Sequence, residues 1–212
     1  GSKYLRPIEP LDNGDWLIGV RPPTYSRKRA QEPYGLWCTG VKDDCSRLLF
    51  GVYDVAPGES ARLVCDALTR AWSGDPRCQL RGMPRWLLCD HGPFQRGQEG
   101  RNWCQGLGIE FVERMPNNPQ AQGKIEREWR TMIRRFELPF LLKPEETLLL
   151  SELNRRFFSY LREGNARRHP FYRDQTRIQV YEARLDPTAV AYLPEDASEA
   201  MWRDAFRQVD TS

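Results

Sequence analysis

At 212 residues the chain suits one ordinary domain, with room for a small appendage and enough length to bury a real core. With 40% hydrophobic and 29% charged residues, its composition is globular and excludes a disordered chain. The net charge of +3 permits nucleic-acid binding without arguing for it, no apolar run approaches membrane-spanning length, and no signal peptide opens the chain.

The leading Gly-Ser has the form of a cloning scar, and residues 1–14 read as a Pro-punctuated lead-in. "DWLIGV" is a short apolar run with the pattern of a buried strand, and "RPPTYSRKRAQEPYG" is a basic, Pro-rich loop. "LWCTGVKDDCSRLLFGVYDV" predicts a hairpin with a tight polar turn over residues 42–46. "SARLVCDALTRAW" places Leu63, Val64, Ala67, Leu68 and Ala71 at helical spacing, with Ser60 as N-cap. "MPRWLLCD" looks like a strand buried on both faces, "GRNWCQGLG" a helix stopped by Gly108, and "IEFVERM" another strand.

"PNNPQAQG" reads as a loop that its prolines keep out of a helix. Residues 124–136 then predict an amphipathic helix with Ile125, Trp129, Met132 and Ile133 on one stripe. A second helical pattern covers residues 144–163, with weaker signals at 177–184 and 199–207. The element order predicts an α/β sandwich, antiparallel over its first three strands and mixed thereafter; the helical crossover into "RWLLCD" makes that strand parallel to an earlier one. The six cysteines (Cys38, Cys45, Cys65, Cys78, Cys89 and Cys104) form no C-x-x-C pair and accompany only two histidines. They read as buried thiols of a reducing compartment, which predicts a cytosolic or nucleoid-associated protein.

Two carboxylates stand out. Asp90 ends the apolar run "RWLLC", where ligands and catalytic groups collect in such sheets, although an Asx-turn or helix cap would use the same residue. Glu126 lies near a helix start, where the macrodipole favours a solvated glutamate in any case. The 35 residues between them are enough for one helix and one strand to bring a helix back across the same strand end. Carboxylates meeting there would form an oxygen-ligand site for Mg²⁺ or Mn²⁺, able in pairs to drive in-line phosphodiester chemistry. Such a site wants a third carboxylate.

"VKDDCSRLLFG", "LLCDHGPF", "CQGLGIEF" and "PNNPQAQGKIEREWRT" together resemble the retroviral-integrase-type catalytic core of bacterial transposases, the DD(35)E class of the ribonuclease-H-like superfamily. The resemblance covers residues 10–185, and the proline-rich loop running into "GKIER" is its most specific part. It implies a ribonuclease-H-like mixed sheet flanked by helices, with a core at residues 15–142, a helical extension at 143–185, and a linker at 186–212 toward a C-terminal domain that is absent. It also implies Mg²⁺-dependent DNA cleavage and transfer by a two-metal site, with Asp90 and Glu126 as ligands. Lys124 matches a position near bound DNA, or is a solvated helix-start lysine. Arg127, Arg130, Arg134 and Arg135 give the helix a basic face that could follow phosphates, or an ordinary solvated one. "NARRH" matches the family's closing segment through Asn165, Arg167 and His169, the histidine as a structural or DNA-backbone contact in preference to a metal ligand. Implied partners are DNA (transposon ends and target), further copies in a homo-oligomer on that DNA, and room for a helper ATPase.

In the family the first strand reads Trp-x-x-Asp. Here it reads "WLIG", and Gly19 occupies the aspartate position. Four explanations stand: Asp43 or Asp44 substitutes; Asp15 substitutes, from about 13 Å back along the strand; the site is degraded; or the strand is misaligned. A degraded core would keep fold and DNA surface while losing phosphoryl transfer. The alternative is a non-catalytic DNA-binding or assembly protein on the same fold.

Overall fold

The computed structural model describes residues 1–21, 32–89, 92–112, 119–186, 188 and 190–193, without the side chains of 119–125. The chain divides into two compact units. One comprises Gly1–Thr39, Val52–Gly58 and Pro119–Tyr160; the other comprises Gly40–Gly51, Glu59–Asn118 and Leu161–Ser212. The fold is mixed α/β, with antiparallel pairing first, a parallel pair after it, and helices throughout.

In the first unit the lead-in forms a strand of its own. β1 (Leu5–Pro10) pairs antiparallel with β2 (Trp16–Val20), the expected "DWLIGV" strand, and the register slips by one residue at Ile8. A second partner comes from late in the chain: β7 (Thr147–Leu149) pairs antiparallel with β2, Gly19 opposite Thr147. The helix expected from residue 144 therefore begins only at Leu150, as α5 (Leu150–Asn165). Asp15 holds that start, accepting from the Ser151 hydroxyl at 2.5 Å and the Ser151 N–H at 3.3 Å.

Slight burial pushes the Asp15 carboxyl up, but its hydrogen bonds to Ser151 and Trp16 outweigh this and leave it below its ordinary value. A depressed carboxyl stabilises the fold above its unfolded value of about 3.9 and loses that contribution as pH falls through its lower folded value. Asp15→Ala should therefore cost about 1 kcal/mol at neutral pH, with the gap to wild type closing below pH about 3 in urea titrations. A pH-independent gap would contradict this role.

α4 (Pro119–Met132) starts inside the expected loop. Proline at a helix's first position loses no hydrogen bond, since that N–H has no intrahelical partner. Beyond Met132 the helix widens into a π-turn (Ile133–Glu137) and then tightens into a 3₁₀ segment (Leu138–Leu142). The π-turn rotates the stripe so that Phe136 and Glu137 both face inward. Phe136 packs against Tyr53, Phe140, Phe157 and Tyr160. Glu137, 1% exposed, accepts from the Tyr53 hydroxyl and the Ser2 hydroxyl, both at 2.9 Å. Burial, helped by the neighbouring Glu137 charge, pushes both the Tyr53 hydroxyl and the Cys38 thiol well up, so both stay protonated.

The predicted hairpin is present as β3 (Gly35–Lys42) and β4 (Leu49–Ala56). In the second unit, α1 (Ala61–Trp72) carries the predicted cap, Ser60 accepting from the Leu63 N–H. β5 (Trp86–Leu87) is shorter and more open than expected. Leu87 is buried, but Trp86 and Leu88 are 56% and 43% exposed, so the strand covers a core on one face only. Its parallel partner is the later β6 (Glu110–Phe111), not an earlier strand, and the crossover runs through α2 (Pro93–Arg96) and α3 (Gln98–Gly106). Gly108 ends α3 as predicted: at φ +69° it lets the Ile109 N–H return to the Cys104 carbonyl. Trp72 and Trp103 stack at the centre of this unit, with Phe94 edge-on.

α6 (Arg177–Glu182) lies within the expected 177–184 signal, capped by a Thr176–Gln179 capping box. The 199–207 signal lies outside the described residues. Among the described residues the cysteines form no disulfide; Cys65, Cys78 and Cys104 are buried, whereas Cys45 is exposed. Burial pushes the Cys78 and Cys104 thiols up to about 12, which leaves them unreactive near neutrality. Among the described residues no helix is long and apolar enough to cross a membrane.

Candidate nucleic-acid and metal site

The strand that should begin the metal site is formed, but its key position is closed. Gly19 is buried in β2, between β1 and β7. A Cβ built on it would lie 2.6 Å from Cδ1 and 3.2 Å from Cγ1 of Ile8. Ile8 is the residue left unpaired by the register slip, and its side chain lies over the glycine. An aliphatic group thus occupies the place where a carboxylate would leave the strand. Beside it, Glu32 is bound by Arg21 and approaches Arg6 at 4.0 Å, Arg6 being the residue opposite Gly19. A carboxylate shared by two guanidiniums is neutralised and poorly suited to a cation.

The other candidate carboxylates have different occupations. Asp43 caps the hairpin turn, accepting from the Ser46 N–H at 2.7 Å and the Ser46 hydroxyl at 2.6 Å. Asp44 pairs with Arg47 at 2.9 Å, and Asp15 holds the start of α5. Among the described residues no group of three His, Cys, Asp or Glu side chains is placed to hold a metal. Asp90, with His91, lies outside the described residues. Glu126 is exposed on α4. Lys124 is in the same helix, but its side chain lies outside the described ones.

The basic face is present. Arg127, Arg130, Arg134 and Arg135 are all exposed, and among the described residues none is tied up in an ion pair. Arg127 and Arg130 follow i, i+3 spacing and so share one side of α4, and Arg134 and Arg135 follow in the π-turn.

"NARRH" proves to be a folding device in its two polar anchors. Asn165, 2% exposed, accepts from the Leu49 N–H at 3.0 Å and donates to the Leu49 carbonyl at 2.9 Å and to the Gln79 side-chain oxygen at 2.8 Å. Its amide acts as one residue of an added strand on β4. His169, 1% exposed, donates from Nε2 to the Cys45 carbonyl at 3.0 Å, while Nδ1 accepts from the N–H groups of Phe171 and Tyr172 at 3.2 and 3.0 Å. Both ring nitrogens are committed, which agrees with a structural histidine. Arg167 between them is exposed. Ile8 over Gly19 and the inward Glu137 were not apparent in the sequence, because each depends on a local departure from regular geometry, a strand bulge and a π-turn.

No family model matches the chain. It is 33% identical over 90 residues (42% of the chain) to an intracisternal A-particle Pol-related polyprotein of mouse intracisternal A-particle MIA14. It is 31% identical over 107 residues (46% of the chain) to the Gag-Pro-Pol polyprotein of squirrel monkey retrovirus. A Mus musculus protein described as IgE-binding is 33% identical over 79 residues, 36% of the chain. The matches cover 10%, 6% and 13% of these relatives' own lengths, respectively. The chain is therefore related in sequence, over less than half its length, to retroviral polyproteins.

Proposed function

We propose that the chain is the catalytic core of a DNA transposase or integrase of the DD(35)E class, ribonuclease-H-like in fold, and impaired in catalysis at its first ligand position. The similarity to retroviral polyproteins supports a mobile-element context. The spacing of Asp90 and Glu126 and the "GKIER" segment support the finer assignment. The observation that carries the impairment is Gly19, which offers no donor and lies beneath Ile8.

The described residues do not fit a two-metal centre: position 19 has no ligand, and Asp43, Asp44, Asp15 and Glu32 are engaged elsewhere. Any Mg²⁺ or Mn²⁺ would rest on Asp90 and Glu126 alone, and weakly. What this chain keeps is a surface for DNA, with Lys124, Arg127 and Arg130 along α4 and Arg134 in the π-turn that follows it as phosphate contacts. Transposon ends and target DNA are the partners in this reading, with assembly as a homo-oligomer on them, a helper ATPase as an accessory, and a DNA-associated location, the nucleoid in a bacterial host. The second reading, a non-catalytic DNA-binding or assembly protein, is favoured by the same combination of a closed ligand position with arginines that make no ion pair among the described residues.

Both readings require DNA binding, and the arginine face makes it measurable. The triple substitution Arg127→Gln, Arg130→Gln, Arg134→Gln should flatten the dependence of log K on log salt for duplex DNA by roughly 2–3, about 0.9 for each phosphate no longer neutralised. An unchanged slope would remove α4 from the interface.

A further inference from the structure

We propose that the loop following α5 is a contact for unpaired nucleotides, in which Phe171 stacks on a base and Arg167, Arg168 and Arg173 hold the flanking phosphates. The inference rests on the DNA-processing reading above and adds a surface and a substrate form to it.

The loop is rigid from within. Arg168 and Thr176 form an antiparallel bridge at its neck, and the His169 N–H donates to the Gln175 carbonyl at 2.8 Å. The buried imidazole of His169 then pins the N–H groups of Phe171 and Tyr172. Tyr172 is used locally, its ring 4.6 Å from the Arg184 guanidinium and 5.0 Å from the His169 ring. Phe171 is not: it is 74% exposed, with the Arg47 guanidinium and the His169 ring each at 5.9 Å. The fold thus fixes the backbone beneath a phenyl ring and leaves the ring in water.

Its surroundings are cationic. Arg167, Arg168, Arg173 and Arg184 are exposed and make no ion pair among the described residues. Arg168 donates to the Arg173 carbonyl at 2.8 Å, which ties two of these arginines to the same loop. Of the nearby carboxylates, Asp44 is paired with Arg47 and Glu182 approaches Arg81 at 3.9 Å, while Asp174 is exposed in the loop itself. A protein partner would want a contiguous apolar patch, and here two neighbouring rings, Phe171 and the partly covered Tyr172, stand among guanidiniums. A base needs only one flat face, and its backbone supplies the charge those arginines lack. Bases stacked within a duplex do not offer that face, so the contact is with unpaired nucleotides.

The test is fluorescence anisotropy of the intact chain with a labelled oligothymidylate and with a duplex of equal length. Phe171→Ala should weaken oligothymidylate binding about tenfold, the loss expected for one stacked base, leave duplex binding nearly unchanged, and leave the thermal midpoint where it is. Phe171→Trp should restore the affinity. Arg167→Gln and Arg173→Gln should each lower the salt slope for the single strand by about 0.7. Equal oligothymidylate affinity in wild type and Phe171→Ala overturns the proposal while leaving duplex binding through α4 intact. A change in self-association by sedimentation with no change in DNA affinity overturns it in favour of a protein contact. Absence of binding to either DNA by the wild-type chain sinks both this inference and the function it rests on.

Discussion

Asn165→Ala should lower stability by about 2–4 kcal/mol, far more than an exposed asparagine would. The side chain completes the hydrogen bonding of Leu49 on both its N–H and its carbonyl, and also donates to Gln79. Leu49 is itself buried at 7% exposure, so water cannot readily replace the missing partners. An unsatisfied buried backbone group costs roughly 1–3 kcal/mol, and two are created at once. The comparison that isolates this effect is Arg167→Ala, two residues on and exposed, which should change stability by less than about 0.5 kcal/mol. Urea denaturation of both variants measures the contrast. Similar small losses for both would mean that Asn165 has another purpose and that "NARRH" is not anchored in the fold as described.

Asn154 performs the same operation at another point of β4, accepting from the Tyr53 N–H at 2.8 Å and donating to its carbonyl at 2.9 Å. A motif matched from sequence to a catalytic family thus contains residues whose visible work is to terminate a strand edge. Such residues serve the packing of this chain and carry no information about activity.

How far the sequence could be read depended on whether an element was local. Ser60 and α1, Gly108 and the end of α3, the β3–β4 hairpin and, more weakly, the 177–184 helical signal are all set by neighbours within a few residues, and all were legible; the Thr176 capping box of α6 was not read. β7 was not legible, because it is a strand only through pairing with β2 far away in the chain; β1 pairs with β2 across a short turn, but Pro7 and Pro10 mask it. The two-sided burial expected of "RWLLCD" failed for the same reason, since burial depends on which partner a strand finds. At the candidate site the absence of an aspartate at position 19 was legible directly. Its replacement by the Ile8 side chain was not, because a one-residue slip in register leaves no mark in composition or periodicity. Glu126 is exposed on α4, and Asp90 lies outside the described residues.

The most direct test of an impaired DD(35)E core is Mn²⁺-dependent nicking and strand transfer on transposon-end DNA by wild type, Gly19→Asp, and Ile8→Ala with Gly19→Asp. Position 19 has no positive φ to strain an aspartate, and among the described residues the local obstacle is the Ile8 side chain, which is 47% exposed and can turn away. Wild type should stay at background. Gly19→Asp should rise above it, and the double variant should rise furthest, on the order of 10²-fold, comparable to restoring one electrostatic stabiliser of a transition state. Adding Glu126→Gln to the double variant should abolish the gain. Robust metal-dependent activity in the wild-type chain, or no activity in the double variant when DNA binding is intact, would contradict the account.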